Sequence, residues 1–210
     1  MSGGRLFVVA APSGAGKTSL VKALLEREPG LRVCVSHTTR PKRPNEVDGR
    51  DYHFVDRERF QQMVREGAFL EHAAVFDHYY GTSLGALQDA FGAGFDVVLE
   101  IDWQGARQVR AKVPECISVF ILPPSRPALE QRLRDRRTDS AEVIARRLRD
   151  AVTDMGHYGE FDCVVVNDDF EAAVADLRRI IAAARDSGAA SAGLGPDRAA
   201  LRPLVAELLG

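Results

Sequence analysis

The stretch of sequence that decides the fold is Ala11-Pro12-Ser13-Gly14-Ala15-Gly16-Lys17-Thr18. An apolar run at residues 6–10 precedes it, and residues 19–26 follow with the pattern of a first helical segment. The order of strand, small-residue loop, Lys-Thr and helix is typical of the phosphate-binding P-loop. The general pattern begins with Gly where this chain has Ala11, a change that is tolerated if this residue does not need a positive φ.

The residue types in this loop suit a polyphosphate. Gly14 and Gly16 leave room for backbone N–H groups to wrap the phosphates, and the helix N-terminus adds further N–H groups and its positive dipole end. Lys17 supplies a cation to the β- and γ-phosphates, and the Thr18 hydroxyl can hold Mg²⁺. The alternative is a glycine-rich turn before an ordinary helix, but Gly-Lys-Thr directly after a strand favours the P-loop.

Composition narrows the class of protein. A chain of 210 residues with 45% apolar content fits one domain, or a core with inserted subdomains. The net charge of −2 argues against a dedicated nucleic-acid binder. No apolar run reaches the ~18 residues of a membrane span, and the N-terminus lacks the apolar region of a signal peptide. We therefore expect a cytoplasmic protein with no membrane and no nucleic-acid partner.

The cysteines support the same location. Cys34, Cys116 and Cys163 each lie in or beside a predicted strand. An odd number without paired spacing indicates reduced core thiols. Cys and His in metal-ligand spacing are absent from the sequence, so we expect no structural zinc.

Short apolar runs alternate with helical patterns along the chain. The runs are continuous, as in fully buried parallel strands. Apolar residues at helical spacing, together with acidic capping pairs, predict helices over residues 140–157 and 169–185. This alternation predicts an α/β fold built on a right-handed, doubly wound parallel sheet. The predicted strands are residues 6–10, 32–35, 97–101, 117–122 and 163–166.

Two segments break this alternation. Residues 36–91 contain strand-like pieces near 52–55 and 69–80 and indicate a small mixed insertion. Residues 123–149 are rich in arginine and indicate a helical, cationic flap. From residue 186 the composition is that of a flexible linker, followed by a short helix with Leu201, Leu204, Val205 and Leu208 on its apolar positions. Such a helix docks on the core or on a second copy of the chain. The sequence therefore leaves open whether the protein is a homo-oligomer.

The insertion carries a candidate site for a second phosphate. Arg40 and Arg43 have planar, forked side chains that suit bidentate phosphate recognition. Tyr52 and the pair Tyr79-Tyr80 offer phenolic donors, or a ring face for a base. The alternative is a solvated basic loop beside core aromatics, but the residues taken together favour a phosphate site.

One acid lies within an apolar run of the insertion. Glu71, between Phe69-Leu70 and His72-Ala73, is a poor neighbour for phosphate. Its carboxylate could accept guanine N1–H and the 2-amino group in parallel, whereas adenine has an acceptor at N1. Thr82 could add a hydroxyl to the same base. The sequence leaves open that Glu71 caps a helix or pairs with an arginine.

These residues belong to a set of motifs that resembles the guanylate kinase family, most closely its bacterial form. The motifs run in family order over about residues 5–185. They are the P-loop at 11–18, Ser-His-Thr-Thr-Arg-Pro-Lys-Arg at 36–43, Gly-Arg-Asp-Tyr-His-Phe at 49–54, Phe-Leu-Glu at 69–71, Tyr-Tyr-Gly-Thr-Ser at 79–83, Ile-Asp-Trp-Gln-Gly at 101–105, Pro-Pro-Ser at 123–125 and Val-Asn-Asp-Asp at 166–169.

The resemblance implies a P-loop NTPase fold over residues 1–185, with a five-stranded sheet. Its core would comprise residues 1–35, 92–122 and 150–185, its GMP-binding insertion residues 36–91 and its lid residues 123–149. The linker and helix at 186–210 lie beyond the shared region. The implied reaction converts ATP and GMP into ADP and GDP with Mg²⁺, in purine nucleotide metabolism.

The resemblance also implies a role for each matching residue. The ATP-binding residues would be Ala11, Pro12, Ser13, Gly14, Ala15, Gly16, Lys17, Thr18 and, near the adenine, Asn167. The residues around the transferring phosphoryl group would be Lys17, Arg132, Arg136 and Arg147. The GMP-binding residues would be Ser36, Arg40, Arg43, Tyr52 and Tyr80 at the phosphate, Glu71, Gly81 and Thr82 at the base, and Glu100. Thr18 and Asp102 would be the residues nearest Mg²⁺.

Two residues depart from the family pattern. Glu100 stands where many members have Asp, so its carboxylate reaches one methylene further. Arg137 replaces the Gly of the usual lid sequence, which adds charge and stiffness beside Arg136.

Three rival functions remain to be weighed. A guanylate-kinase-like interaction domain typically loses parts of the P-loop or lid, and this chain keeps both. A P-loop GTPase would be expected to carry an Asn-Lys-x-Asp guanine motif, and residues 166–169 lack the Lys. RNA binding by residues 132–149 is disfavoured by the acidic balance and the lack of aromatic residues there.

Overall fold

The computed structural model describes residues 4–75, 77–135, 141–187 and 198–210. The chain divides into two compact units, one of residues 1–8 and 29–116 and one of residues 9–28 and 117–210. In chain order the elements are β1 (Leu6–Ala10), α1 (Lys17–Arg27), β2 (Leu31–Val33), β3 (His37–Thr38), β4 (His53–Phe54), α2 (Arg57–Arg65), β5 (Phe69–Val75), β6 (His78–Ser83), α3 (Leu84–Gly92), β7 (Asp96–Glu100), α4 (Trp103–Lys112), β8 (Ile117–Leu122), α5 (Arg126–Asp135), α6 (Ala141–Met155), a 3₁₀ turn (Tyr158–Glu160), β9 (Cys163–Val166), α7 (Phe170–Ser187) and α8 (Arg198–Leu209).

A five-stranded sheet in the order β2-β7-β1-β8-β9 confirms the predicted α/β fold. Pairing is parallel between β2 and β7 and between β8 and β9. Each of the five predicted strands is present, and two of them begin one residue earlier than expected. β2 also ends at Val33, although the Cys34 N–H still donates to the Val98 carbonyl at 3.1 Å.

The segment predicted as an insertion contains a second sheet, in the order β4-β3-β6-β5. β3 is parallel to β4 and antiparallel to β6, and β5 is antiparallel to β6. One face of this sheet packs on α2 through a buried cluster of Phe60, Met63 and Phe69, with Tyr79 at its margin. The mixed character of this segment, predicted from sequence, is therefore present.

The helix at the end of the chain packs within its own unit. Leu201, Val205 and Leu208 are buried, and α8 contacts α6. Arg198 at its start donates to the carbonyls of Gly159, at 3.1 Å, and Phe161. The structure therefore answers the question that the sequence left open, since this helix docks on its own chain.

The cysteines are free and buried, as expected. Burial, with the negative charge of a nearby acid, raises the pKa of Cys34 and of Cys163 to about 11. Both thiols are therefore protonated and unreactive at neutral pH. Across the residues that the structure describes, no helix has the length and apolar character needed to cross a bilayer.

Candidate active site

The P-loop connects β1 to α1 through two left-handed glycines. Gly14 has φ 91° and Gly16, which caps α1, has φ 96°. Side-chain-bearing residues rarely adopt this conformation. The Ala15 N–H donates to the Pro12 carbonyl at 3.2 Å, and α1 begins at Lys17. The loop therefore has the tight turn and the helix start that phosphate binding requires.

The two glycines of the loop are packed against neighbouring side chains of the protein. A Cβ atom at Gly14 would lie 2.9 to 3.0 Å from Leu129 and Leu133 of α5, both fully buried. A Cβ at Gly16 would overlap the side-chain amide of Asn167. The two glycines are thus required by packing as well as by phosphate approach.

Asn167 holds the P-loop backbone. Its side chain is buried, and its Nδ2 donates to the Ala15 carbonyl at 2.7 Å. Its backbone carbonyl accepts from Arg132 Nη2 at 3.0 Å, while Arg132 Nη1 lies 3.5 Å from the Ala15 carbonyl. Asn167, which was predicted to lie near the adenine, therefore supports the backbone of the loop.

Two of the three predicted lid arginines lie within the described residues. Arg132, on α5, reaches the P-loop as just described. Arg147, on α6, is half-buried. Arg136 and its neighbour Arg137 lie outside the described residues.

The two residues predicted near Mg²⁺ have different surroundings. Thr18 is exposed in the first turn of α1, so its hydroxyl is accessible to a metal that arrives with ATP. Asp102 caps α4, accepting from the Gly105 N–H at 2.8 Å and from Gln104 Nε2 at 3.0 Å. The described residues contain no group of three or more acidic, His or Cys side chains able to hold a metal. Mg²⁺ bound through substrate phosphates needs only one or two protein ligands, so the Thr18 hydroxyl fits it.

The predicted phosphate site contains an acid that the sequence reading missed. Arg40 Nη2 donates to Glu46 Oε1 at 2.6 Å, and Nη1 donates to the Pro41 carbonyl at 2.7 Å. Its guanidinium also lies 5.5 Å from the Tyr52 ring and 5.8 Å from the Phe54 ring. Burial disfavours the charge on Arg40, but the bond to Glu46 outweighs it and raises the arginine's pKa. The Arg40 guanidinium is therefore charged, and its hydrogen bonds fix its position beside two aromatic rings.

Three more residues predicted at the GMP phosphate, Arg43, Tyr52 and Tyr80, lie in the same unit. Glu46 also accepts from the backbone N–H of Arg43 at 2.8 Å and lies 3.9 Å from its guanidinium, which is largely exposed. The rings of Tyr52 and Tyr80 are 5.9 Å apart. Burial, together with Tyr80 and the carboxylate of Glu100, raises the pKa of Tyr52 to about 12. Tyr52 therefore stays a hydrogen-bond donor at neutral pH.

The predicted base-reading residues form a buried chain of hydrogen bonds. Thr82 Oγ1 donates to Glu71 Oε1 at 2.6 Å and lies 3.4 Å from Ser36 Oγ. Glu71 is only 2% exposed. A Cβ atom at Gly105 of α4 would overlap Glu71 Oε2, so this glycine gives the carboxylate its space. The Glu71 carboxylate therefore lies beside the first turn of α4 and is hydrogen-bonded to Thr82.

Gly81 has a different role from its predicted neighbours. A Cβ atom there would lie 3.0 Å from Phe69 and 3.1 Å from Phe60, so the residue makes room for the apolar cluster. Alternate residues of β6 therefore face the apolar cluster and the candidate site.

Comparisons with known proteins show which family this chain is similar to. The family model described as guanylate kinase matches residues 3–184. The chain is 55% identical to a guanylate kinase of Methylococcus capsulatus over all of both chains. It is 54% identical to the Escherichia coli guanylate kinase, covering 88% of this chain and 90% of that one. A crystal structure of guanylate kinase from Anaplasma phagocytophilum superposes with a TM-score of 0.74 at 33% identity, covering 97% of this chain and 96% of that chain.

Proposed function

The chain belongs to the guanylate kinase family, and we propose that it transfers the γ-phosphoryl group of ATP to GMP, giving ADP and GDP. The observation that carries the choice of acceptor is the buried carboxylate of Glu71, hydrogen-bonded to Thr82. A carboxylate accepts the two adjacent donors of guanine and repels the N1 acceptor of adenine. The relatives from Methylococcus capsulatus and Escherichia coli are both named guanylate kinase.

We assign the remaining residues by their chemistry. The P-loop and Lys17 bind the ATP phosphates, and the Thr18 hydroxyl would hold Mg²⁺, which would supply positive charge to those phosphates. Arg40, with Tyr52, orients the GMP phosphate. The lid arginines, Arg132 among them, neutralise the transferring phosphoryl group, and no protein nucleophile is needed because positioning and charge do the work. Cytoplasmic location and a possible second copy of the chain stay predictions.

The decisive experiment offers GMP, AMP, CMP and UMP one at a time with MgATP and follows diphosphate formation. We expect GMP to be converted at least about a hundredfold more efficiently than the others, and chelation of Mg²⁺ to abolish conversion. Rapid conversion of another monophosphate with none of GMP would overturn the proposal. No ADP release with any of them would favour the interaction-domain alternative.

A further inference from the structure

One face of α4 supplies side chains to the backbone of β5. Gly105, Gln108 and Lys112 share this face, since they are three and four residues apart. Gln108 Nε2 donates to the His72 carbonyl at 2.7 Å, and the His72 N–H donates to Gln108 Oε1 at 3.1 Å. Lys112 Nζ donates to the Leu70 carbonyl. Because β5 is the edge strand of its sheet, these side chains take the place of a neighbouring strand.

The two residues held in this way, Leu70 and His72, flank Glu71. The pairing of β5 with β6 is irregular at this point, because Phe69 lies opposite Ser83 and Glu71 lies opposite Thr82. Leu70 is therefore the extra residue of a β-bulge. Bulges of this kind re-aim side chains and leave one residue outside the regular ladder.

The bulge decides which way Glu71 points. Residues two apart on a regular strand share a face, so without the bulge Glu71 would lie on the face of Phe69. That face is the apolar cluster of Phe60 and Met63. With the bulge, Glu71 lies on the opposite face, where it accepts from Thr82.

We propose that Gln108 and Lys112 are positioning residues for guanine recognition, which hold the bulge at Leu70 so that the Glu71 carboxylate meets the edge of the base. Lys112 satisfies the outward-facing carbonyl of the bulged residue Leu70, and Gln108 holds the next residue after Glu71 by both of its backbone groups. Neither side chain touches the nucleotide in this role. The inference rests on the proposed function.

The test compares GMP with IMP, which keeps the N1–H of guanine but lacks the 2-amino group. A correctly aimed carboxylate gains a second hydrogen bond with GMP only, so the ratio of kcat/KM for GMP over IMP reports its orientation. For Lys112→Met and for Gln108→Met, which keep the side-chain length and lose the donors, we expect this ratio to fall about fivefold or more, through the KM for GMP. Lys112→Arg, which keeps a donor, should restore most of the ratio, and Lys22→Met, on the exposed face of α1, serves as the matched control.

A double-mutant comparison separates positioning from a merely structural role. Glu71→Gln should lower the ratio by itself, and adding Lys112→Met should then lower it no further, because the two changes act on one interaction. An unchanged ratio in both Lys112→Met and Gln108→Met, even with weaker activity overall, would overturn the inference. If Lys112→Met does not fold, Gln108→Met decides alone. Failure of the wild-type chain to convert GMP, or of Glu71→Gln to change the ratio, would instead count against the proposed function.

Discussion

At the scale of single residues, Lys17 is the residue on which the proposed chemistry depends most. It begins α1 directly after Gly16 and is partly exposed, so Lys17→Met should leave the core intact. Because the variant loses the cation that stabilises charge on the β- and γ-phosphates, we expect kcat to fall about a hundredfold or more, several kcal/mol of barrier. Steady-state kinetics with MgATP and GMP, beside an unfolding curve, measure both effects.

The control for this experiment is Lys22→Met, which removes a lysine of the same helix on its exposed side. It should retain near wild-type turnover. Turnover close to normal in Lys17→Met would contradict the role assigned to Lys17.

Residue types were the easiest feature of the site to predict. The P-loop residues and Glu71 were recognisable because their chemistry is unusual at their positions: glycines before Lys-Thr, and an acid within an apolar run. The partner of Arg40 was not predicted, because Glu46 lies six residues away on an irregular loop and no periodicity links the two. Sequence therefore indicates which chemistry is present more reliably than which groups pair.

At the scale of elements, the P-loop depends on a residue at the end of β9. Asn167 fills a buried position and donates to the Ala15 carbonyl. Asn167→Leu would remove this hydrogen bond, and among the described residues the Ala15 carbonyl would keep a longer contact of 3.5 Å with Arg132 Nη1. We expect a loss of about 1–3 kcal/mol in the free energy of unfolding and a severalfold rise in the KM for ATP.

Urea unfolding and ATP titrations check this prediction, with Asn45→Leu on an exposed loop as the control. A rise in the KM for ATP with unchanged stability would indicate that Asn167 acts on the adenine alone. No change in either quantity would show that the loop does not need this support.

The C-terminal helix offers a matched pair of leucines. Leu208 is fully buried and its neighbour Leu209 is 39% exposed. Leu208→Ala should lower the free energy of unfolding by about 2–4 kcal/mol, because it leaves a cavity beside α6. Leu209→Ala should cost well under 1 kcal/mol. Equal effects of the two changes would contradict the packing of α8 on its own chain.

Elements were predictable where their pattern is local. Continuous apolar runs marked all five strands of the main sheet, and helical periodicity marked α7 to within two residues at its ends. The bulge at Leu70 and the face of α4 that holds it were not predictable. Both depend on register between segments more than ten residues apart, and register follows from side-chain contacts that a linear pattern does not contain.

At the scale of the whole molecule, the alternation of strands and helices predicted the class of fold, since it reflects burial on both faces of a parallel sheet. The division into two units was not predicted in its observed form. One unit joins residues 1–8 to residues 29–116, and such discontinuous grouping arises from tertiary contacts. The predicted boundaries of the insertion and lid stay predictions.

Global stability should depend on pH through one half-buried histidine. The His37 ring lies 4.7 Å from that of His53, and its Nδ1 is buried without a hydrogen-bond partner among the described residues. Burial, with the nearby His53 and Arg59, lowers the pKa of His37 to about 4. In the unfolded chain the same group titrates near pH ~6.5.

Between pH ~6.5 and ~4 the unfolded chain therefore binds a proton that the folded chain does not, so the free energy of unfolding must fall as the pH is lowered through this window. Since His37 is only half-buried, solvent screening reduces the effect to about 1 kcal/mol. Urea unfolding at pH 7 and pH 5 should show this loss in the wild-type chain and a smaller loss in His37→Gln. His72→Gln, at an exposed position, should behave like the wild type. An equal pH dependence in His37→Gln and the wild type would show that His37 is not the group that links stability to pH.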